Sequence, residues 1–404
     1  MKAKQKQIPA PKERAAVLNE RHNLKMARSA HAYVRGNTAN FYEWLETAKG
    51  RALPDGPGVW ICGDCHVGNL GPIANAKGHV AVQIRDLDQT VIGNPAHDLI
   101  RLGLSLATAA RGSDLPGVTT ALMLEHMMEG YAHAFDVAKD GAEVMIDRPE
   151  SVEIALKSAL KRKWKHLARE RIEDEAPSIP LGKKFWPLTR EEKKEIEALF
   201  ATEEARKLVT SLRSRDDDAQ IHVLDAAYWM KGCSSLGNLR FAVLIAIGES
   251  ESELCLMDIK EASQALAPRY PKVAMPKDNA ERIVSGAQHL SPFLGNRMLA
   301  ARLLGRAVFV RELMPQDMQL EIEQLTQEEA MKVAHFLAMV TGKAHARQMD
   351  EPTRQKWQAE LMRNRTKTLD APSWLWTSIV ELVASHETAY LEHCRRYALR
   401  EEVA

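Results

Sequence analysis

Residues 62–70 read CGDCHVGNL. The first five letters have the spacing of a c-type haem attachment site, with two thiols and a histidine. The context argues against haem. "GVWICGDCH" begins as an apolar strand, Val59 to Cys62, and breaks at Gly63. The basic N-terminus, MKAKQKQIPAPKERAAVLNERHNLK, has no apolar stretch behind it, so it is no signal peptide, and haem is normally attached after export. The polar residues of the stretch carry a different message. Asp64 and Asn69 are five positions apart on one loop, and Asp86 and Asp88 follow on the next strand, in IRDLDQTVIGNPAHDL.

That spacing matches the needs of phosphoryl transfer. A carboxylate orients the attacking hydroxyl, and oxygen ligands hold Mg²⁺ while leaving room for water and phosphates. Taken alone, an aspartate in a glycine-containing loop is usually a turn residue; several at matched spacings make that a poor joint account. A His-Asp metal site built from His66, His97 and Asp98 is the other arrangement considered, but no second histidine-rich cluster follows it.

The 404 residues suffice for two or three lobes around a sizeable core. Lys plus Arg number 55 and Asp plus Glu 54, a balance that demands no polyanionic partner, so nucleic acid is not expected. No apolar run is long enough to span a membrane. Five cysteines without an export signal suggest free thiols and a cytoplasmic location. Nothing in the sequence sets the oligomeric state.

The order of elements reads as helical, then sheet-rich, then helical. Residues 13–48 are amphipathic and helical, interrupted at "VRGN". Short strands are expected at 58–62 and 79–86. Pro95 starts a buried helix carrying Leu99, Leu102, Leu104 and Leu106. Residues 117–138 and a basic stretch at 151–172 continue as helix. DEAPSIPLGKKFWPLT reads as an irregular connection. From Gln220 the texture changes: Phe241–Ile247 and Leu254–Ile259 form a hairpin, a helix lies near 278–290, and AVFVREL is another strand. From Thr326, which makes a capping box with Glu329, the chain is helical again, with a last helix at 373–397. The expected division is 1–219, 220–314 and 315–404.

GDCHVGNL followed by RDLDQTVIGNPAHDL resembles the catalytic and metal-binding segments of aminoglycoside phosphotransferase-like kinases, G-D-x-H-x-x-N and D-x-x-x-x-G-x-P-x-x-D-L. The resemblance implies Asp64 as base, Asn69 and Asp86 on metal and Asp98 bracing the loop; Asp88 reads as an extra metal ligand or a solvated strand-end residue, and His66 is expected to hold the loop by hydrogen bonding. The nucleotide lobe, which precedes these segments in a normal kinase, reads downstream here. In KGCSSLGNLRF the backbone of Gly232, Ser234, Ser235 and Gly237 would cover phosphates, and Lys260 would neutralise them. VFVRELM, with Glu312 and Met314, would meet adenine. Together with KMARSAHAYVRG, FVREL and GKAHAR, this resembles the bacterial family of domain of unknown function 2252. The resemblance implies an α+β, bilobal, protein-kinase-like fold in circularly permuted order, using ATP and Mg²⁺ on an unidentified hydroxyl acceptor. Permutation is physically reasonable where termini lie close together.

Two positions depart from that family's pattern. Ser234 stands where a middle glycine is usual. Ser285 stands where a glutamate would pair with the lysine; Glu281 lies one turn earlier. The departures favour an alternative, a pseudokinase-type nucleotide-binding or regulatory protein, while the complete Asp64, Asn69 and Asp86 set opposes it. Nucleotidyl transfer at the same metal site is a third reading. Arg35 in "VRGN" either contacts phosphate or only caps a helix. KSALKRKWKHLARERIE, with seven Lys or Arg, reads as a solvated helix face or, alternatively, as a docking surface for an acidic substrate.

Overall fold

The structure is a computed structural model that describes residues 9–47, 53–113, 115–136, 148–162, 178–212, 215–232, 236–248, 253–318, 320, 326–363 and 371–397. The fold is mixed α+β with antiparallel sheets. Chain order begins with α1 (Arg14–Met26), α2 (Ala30–Gly36) and α3 (Thr38–Leu45). Four short strands follow: β1 (Val59–Ile61), β2 (Leu70–Ala74), β3 (Val80–Ile84) and β4 (Val91–Gly93). They pair as two separate ribbons, β1 with β4 and β2 with β3. The sequence pattern picks out β1 and β3; β2 contains Gly71 and Pro72, which hide it.

Next come α4 (Pro95–Gly112), α5 (Gly117–His133) and α6 (Glu150–Lys161). Asn94 caps α4 by accepting the Ala96 N–H at 3.0 Å, and Pro95 at the first helical position fixes the start. Much of the basic stretch 157–171 lies outside the described residues, as does Trp164. So do Ser234 and Ser235.

The six-stranded sheet has the order β5-β6-β7-β8-β10-β9. It consists of β5 (Phe185–Trp186), β6 (Ile221–Trp229), β7 (Arg240–Ile247), β8 (Glu253–Glu261), β9 (Met298–Leu303) and β10 (Arg306–Glu312). Between them lie α7 (Arg190–Phe200), α8 (Glu203–Val209), α9 (Asn279–Leu290) and α10 (Pro292–Gly295). Strand β7 is buried along its whole length, and its side chains alternate between two cores. Phe241, Val243 and Ile245 join Leu18, Ile196 and Phe200 on one face; Ala242 and Leu244 join Trp229 and Leu256 on the other. The sheet's layer therefore begins well before residue 220, because α1, α7 and α8 cover it. A capping box at Thr189 and Glu192 starts α7, with bonds of 2.7 and 3.1 Å.

The chain closes with α11 (Gln327–Ala346), α12 (Glu351–Met362) and α13 (Ser373–Tyr397). Thr326 caps α11, but Glu329 does not complete the box. Its carboxylate accepts the Ser151 N–H at 2.8 Å and ties α6 to α11 instead. Helix α11 packs against α5 at very close range. A Cβ on Gly130 would lie 2.1 Å from the His335 carbonyl oxygen. These helices, with α4 and α13, enclose the largest core, which reaches β1 and the loop after it.

Candidate functional site

The segment after β1 turns at Gly63, whose φ of +75° suits a residue without a side chain. A Cβ there would meet the Gln89 carbonyl oxygen at 2.2 Å. The turn is braced from below by α4. Asp98, fully buried, accepts the N–H groups of Cys62 and Gly63 at 2.7 and 2.9 Å. Its Oδ2 also lies 3.2 Å from His345 Nε2. His345 Nδ1 bonds the Tyr131 hydroxyl at 2.9 Å, and Trp357 Nε1 donates to that hydroxyl at 3.2 Å. One buried chain of hydrogen bonds thus links α12, α5, α11 and α4 to the backbone just before Asp64.

Asp64 is 6% exposed and both carboxylate oxygens are engaged. Arg101 Nε donates to Oδ1 at 2.8 Å and the Thr38 hydroxyl donates to Oδ2 at 3.0 Å. Burial pushes the Asp64 carboxyl above its ordinary range, and the Arg101 guanidinium pulls against that shift. Asn69 Nδ2 donates to the Asp64 carbonyl at 2.9 Å, which folds the loop back over itself.

Asp86 and Asp88 follow β3. Lys260, on β8 and 3% exposed, bridges them although 174 residues separate it from Asp86. Its Nζ lies 3.3 Å from Asp86 Oδ1 and makes a close ion pair with Asp88 Oδ2. Burial raises the Asp86 carboxyl, but the Lys260 ammonium outweighs it and holds the group well below the carboxylate range. Burial and the Asp86 charge push Asp88 up to about 6. Next to Lys260 on the sheet, Asp258 is paired in bidentate fashion with Arg240, at 2.8 and 2.6 Å.

Asp64, His66, Asn69, Asp86, Asp88, Gln89, Asn238 and Ser263 line one cavity of about 40 Å³. That volume admits an ion and its nearest oxygens, not a nucleoside triphosphate. Among the described residues no group of three His, Cys, Asp or Glu has metal-holding geometry. Asp88 Oδ1 is buried without a hydrogen-bond partner, and a lysine ammonium already sits between the two aspartates. An orphaned carboxylate oxygen beside a resident cation fits a divalent ion.

Several sequence expectations fall elsewhere. The His66 ring is buried, but Nδ1 has no hydrogen-bond partner and Nε2 is 3.9 Å from Asp64 Oδ2. The ring therefore does not hold the loop by hydrogen bonding; the His66 backbone bonds Asp64 and Asn69 within it, and Asp98 braces it from below. Glu312 gives its carboxylate to Arg215 at 2.7 and 2.8 Å and its carbonyl to Arg297 at 3.0 Å, while the Met314 carbonyl accepts the Asp317 N–H. Neither residue lines the cavity. Gly232 and Gly237 have φ of +99° and +109°, and the Gly232 carbonyl is bonded by Lys25 at 2.7 Å. Glu281 is exposed on α9. Its neighbour Arg282 points inward instead, donating to the carbonyls of Asp88, Thr90 and Ser263.

Cys62 and Cys65 are buried free thiols inside the helical core, with the neighbouring Cys65 thiol and then burial pushing the Cys62 thiol up. Neither is presented to a macrocycle. Thr38, Arg101, His345, Asn238 and Ser263 went unread in the sequence. Only Arg101 left a signal, as a charge inside the apolar run DLIRLGLSL.

The profile of the family described as uncharacterized protein conserved in bacteria (DUF2252) matches residues 14–396, and the chain belongs to that family. No curated protein and no solved structure matches it. No helix among the described residues is long and apolar enough to cross a membrane.

Proposed function

We propose that the protein is an ATP- and Mg²⁺-dependent phosphotransferase with a kinase-like fold in circularly permuted order. The observation that carries the reading is Lys260 meeting Asp86 and Asp88, which line one cavity together with Asp64 and Asn69. In kinases a glycine loop joins the first strands, the phosphate lysine lies on the third strand and a helix follows. The loop between β6 and β7, Lys260 on β8 and the subsequent α9 have that order. The catalytic loop, which normally comes after this lobe, here comes before it.

Asp64 would orient the acceptor hydroxyl and take its proton, which requires the hydroxyl to replace Thr38 on Oδ2. A raised pKa makes the carboxylate a better base, while Arg101 holds its orientation through Oδ1. Asn69, Asp86 and Asp88 would hold the metal, which neutralises charge on the phosphates. Lys260 would release Asp88 and contact the phosphates in turn. The small cavity implies that the sheet side draws back to admit nucleotide.

The test is incubation with γ- and α-labelled ATP and a cell extract. Transfer of the γ label to an acceptor supports phosphotransfer; transfer of the α label points to nucleotidyl transfer; neither, with Mg²⁺-dependent ATP binding intact, selects the nucleotide-binding, pseudokinase-type alternative. That alternative is favoured by one observation, the double capping of Asp64 by Thr38 and Arg101.

A further inference from the structure

Helix α2 and the turn into α3 sit directly on the loop that carries Asp64. The Val34 carbonyl accepts Arg101 Nη2 at 2.5 Å, and Thr38 reaches Asp64 itself. On the face between these two contacts, α2 presents His31 and Arg35, four residues apart and so on one side of the helix. The Arg35 guanidinium lies flat against Gly68: a Cβ there would be 2.8 Å from Arg35 Cζ and Nη2. Arg35 therefore packs on the residue next to Asn69, and Asn69 lines the cavity.

Around it, positive or donor groups lack partners. Arg35 makes no hydrogen bond or ion pair to any other described residue. Arg85, which flanks Asp86, has a buried Nε with no partner. So do His31 Nδ1, His66 Nδ1 and Arg101 Nη1. His66 is 4% exposed and lines the cavity. The nearby carboxylates are already taken, Asp64 by Arg101 and Asp86 by Lys260. Unpaired cations and orphaned N–H groups packed together disfavour the empty state, and an oxyanion placed among them relieves it.

We propose that Arg35, Arg85, His31 and His66 form a subsite for an oxyanion carried by the acceptor, so that the substrate is a phosphorylated or carboxylated alcohol. This rests on the phosphotransferase reading of the same cleft and adds the class of acceptor. An acceptor anchored there by its anion would bring a hydroxyl to the position Thr38 holds on Asp64 Oδ2. A cationic acceptor, such as an amino sugar, would be repelled.

The test uses the full-length protein and calorimetric titration in the presence of Mg²⁺ and a saturating non-hydrolysable ATP analogue. The probes are glycerol 3-phosphate, glycerate and glycerol, at millimolar concentration. Glycerol 3-phosphate or glycerate should bind, and glycerol should not; which of the two anions binds tells phosphate from carboxylate. Arg35→Gln should weaken the anion at least tenfold and leave the nucleotide affinity within twofold; Arg35→Lys should recover part of the loss. Lys260→Gln should do the converse, weakening nucleotide and sparing the anion. If Arg35→Gln loses its native circular dichroism, Arg85→Gln gives the same reading. The proposal is overturned if neither anion binds, if glycerol binds as tightly, if the nucleotide analogue displaces the anion, or if the arginine variants bind it unchanged. Failure of the nucleotide analogue to bind at all is a separate result. It removes the phosphotransferase reading, and the anion titration without nucleotide, repeated with Arg35→Gln, then tests the subsite alone by the same criteria.

Discussion

The two walls of the cleft are built by different physics. Asp64 stands on a wall fixed by buried, uncharged-neighbour hydrogen bonds: Asp98 under the backbone of Cys62 and Gly63, then His345, Tyr131 and Trp357 behind it. On the facing wall the carboxylates are held by one charge, Lys260 between Asp86 and Asp88, while Arg282 ties the backbone of Asp88 and Thr90. Asp86 is 42% exposed at its side chain, whereas Asp98 is fully enclosed. A network with every member satisfied rigidifies its surroundings. Two carboxylates sharing one ammonium near water can exchange that cation for another at modest cost. One wall is suited to hold a geometry and the other to trade partners.

The largest expected effect comes from the first wall. Asp98→Ala leaves two backbone N–H groups and an imidazole unpaired in a dry core, which should cost about 3–5 kcal/mol. Urea unfolding measures it. A loss below about 1 kcal/mol would mean that the network is decorative and that the two walls do not differ in the way described.

The second wall should show itself in pH dependence. An aspartate that titrates near 3.8 when unfolded titrates at about 6 in the native Asp88 environment. Between those values the native state keeps a proton that the unfolded state has lost. The associated stability is complete below the unfolded pKa and disappears as pH rises through 6, a decline of at most about 3 kcal/mol. Asp86 works in the opposite sense, because its pKa is depressed. Its contribution is present above the unfolded pKa and is lost only as pH falls below that value, outside this window. The buried histidines His31, His97 and His386, whose pKa values are lowered to about 4, make stability rise over the same window in both proteins. The Asp88 contribution therefore shows in the difference: between pH 4 and pH 6 the stability of the wild type should fall relative to that of Asp88→Asn. An equal slope in both proteins would place the titrating group elsewhere.

These contrasts also explain what the sequence disclosed. Asp64, Asn69, Asp86 and Asp98 lie within one short span, so their spacing alone groups them, and Lys260 was legible because it ends the second of two apolar runs that follow a glycine-containing loop. The supports were not. Tyr131, His345 and Trp357 are ordinary core residues in three helices, and only the tertiary fold brings them to Asp98. Thr38 reads as a helix start, and its bond to Asp64 spans 26 residues. Strand β5, two residues long, has no period to detect, so the sheet layer seemed to begin at 220 when α7 and α8 already belong to it. His66 misled because a histidine in a loop is expected to bond within it, whereas its Nδ1 remains unpaired.

A smaller stability effect is expected from Asp86→Ala. Its carboxylate is partly solvated and Lys260 keeps Asp88, so the loss should stay within about 1 kcal/mol. Binding separates it from the wild type more sharply. ATP should raise the melting temperature of the wild type in a Mg²⁺-dependent way, because a ligand of the native state stabilises it by mass action. The variant should lose the Mg²⁺ dependence. Retention of that dependence would remove Asp86 from the metal site while leaving the rest of the wall in place.

The smallest effect should come from the residue that joins the walls. Cys62 directly follows β1 on the braced side, and its thiol lies 3.5 Å from the Asp86 carbonyl on the other. A thiol is a weak donor, so little energy resides in that contact. Valine is close in size and suits the end of a strand. Cys62→Val should therefore change stability by less than about 1 kcal/mol and leave ATP binding as it is. The companion change Cys65→Leu adds volume at a site 1% exposed and should cost more, about 1–3 kcal/mol, as overpacking rather than as lost chemistry. A large loss from Cys62→Val alone, or a Soret band in the purified protein that survives denaturation, would show that the thiol does more than fill space between the two walls.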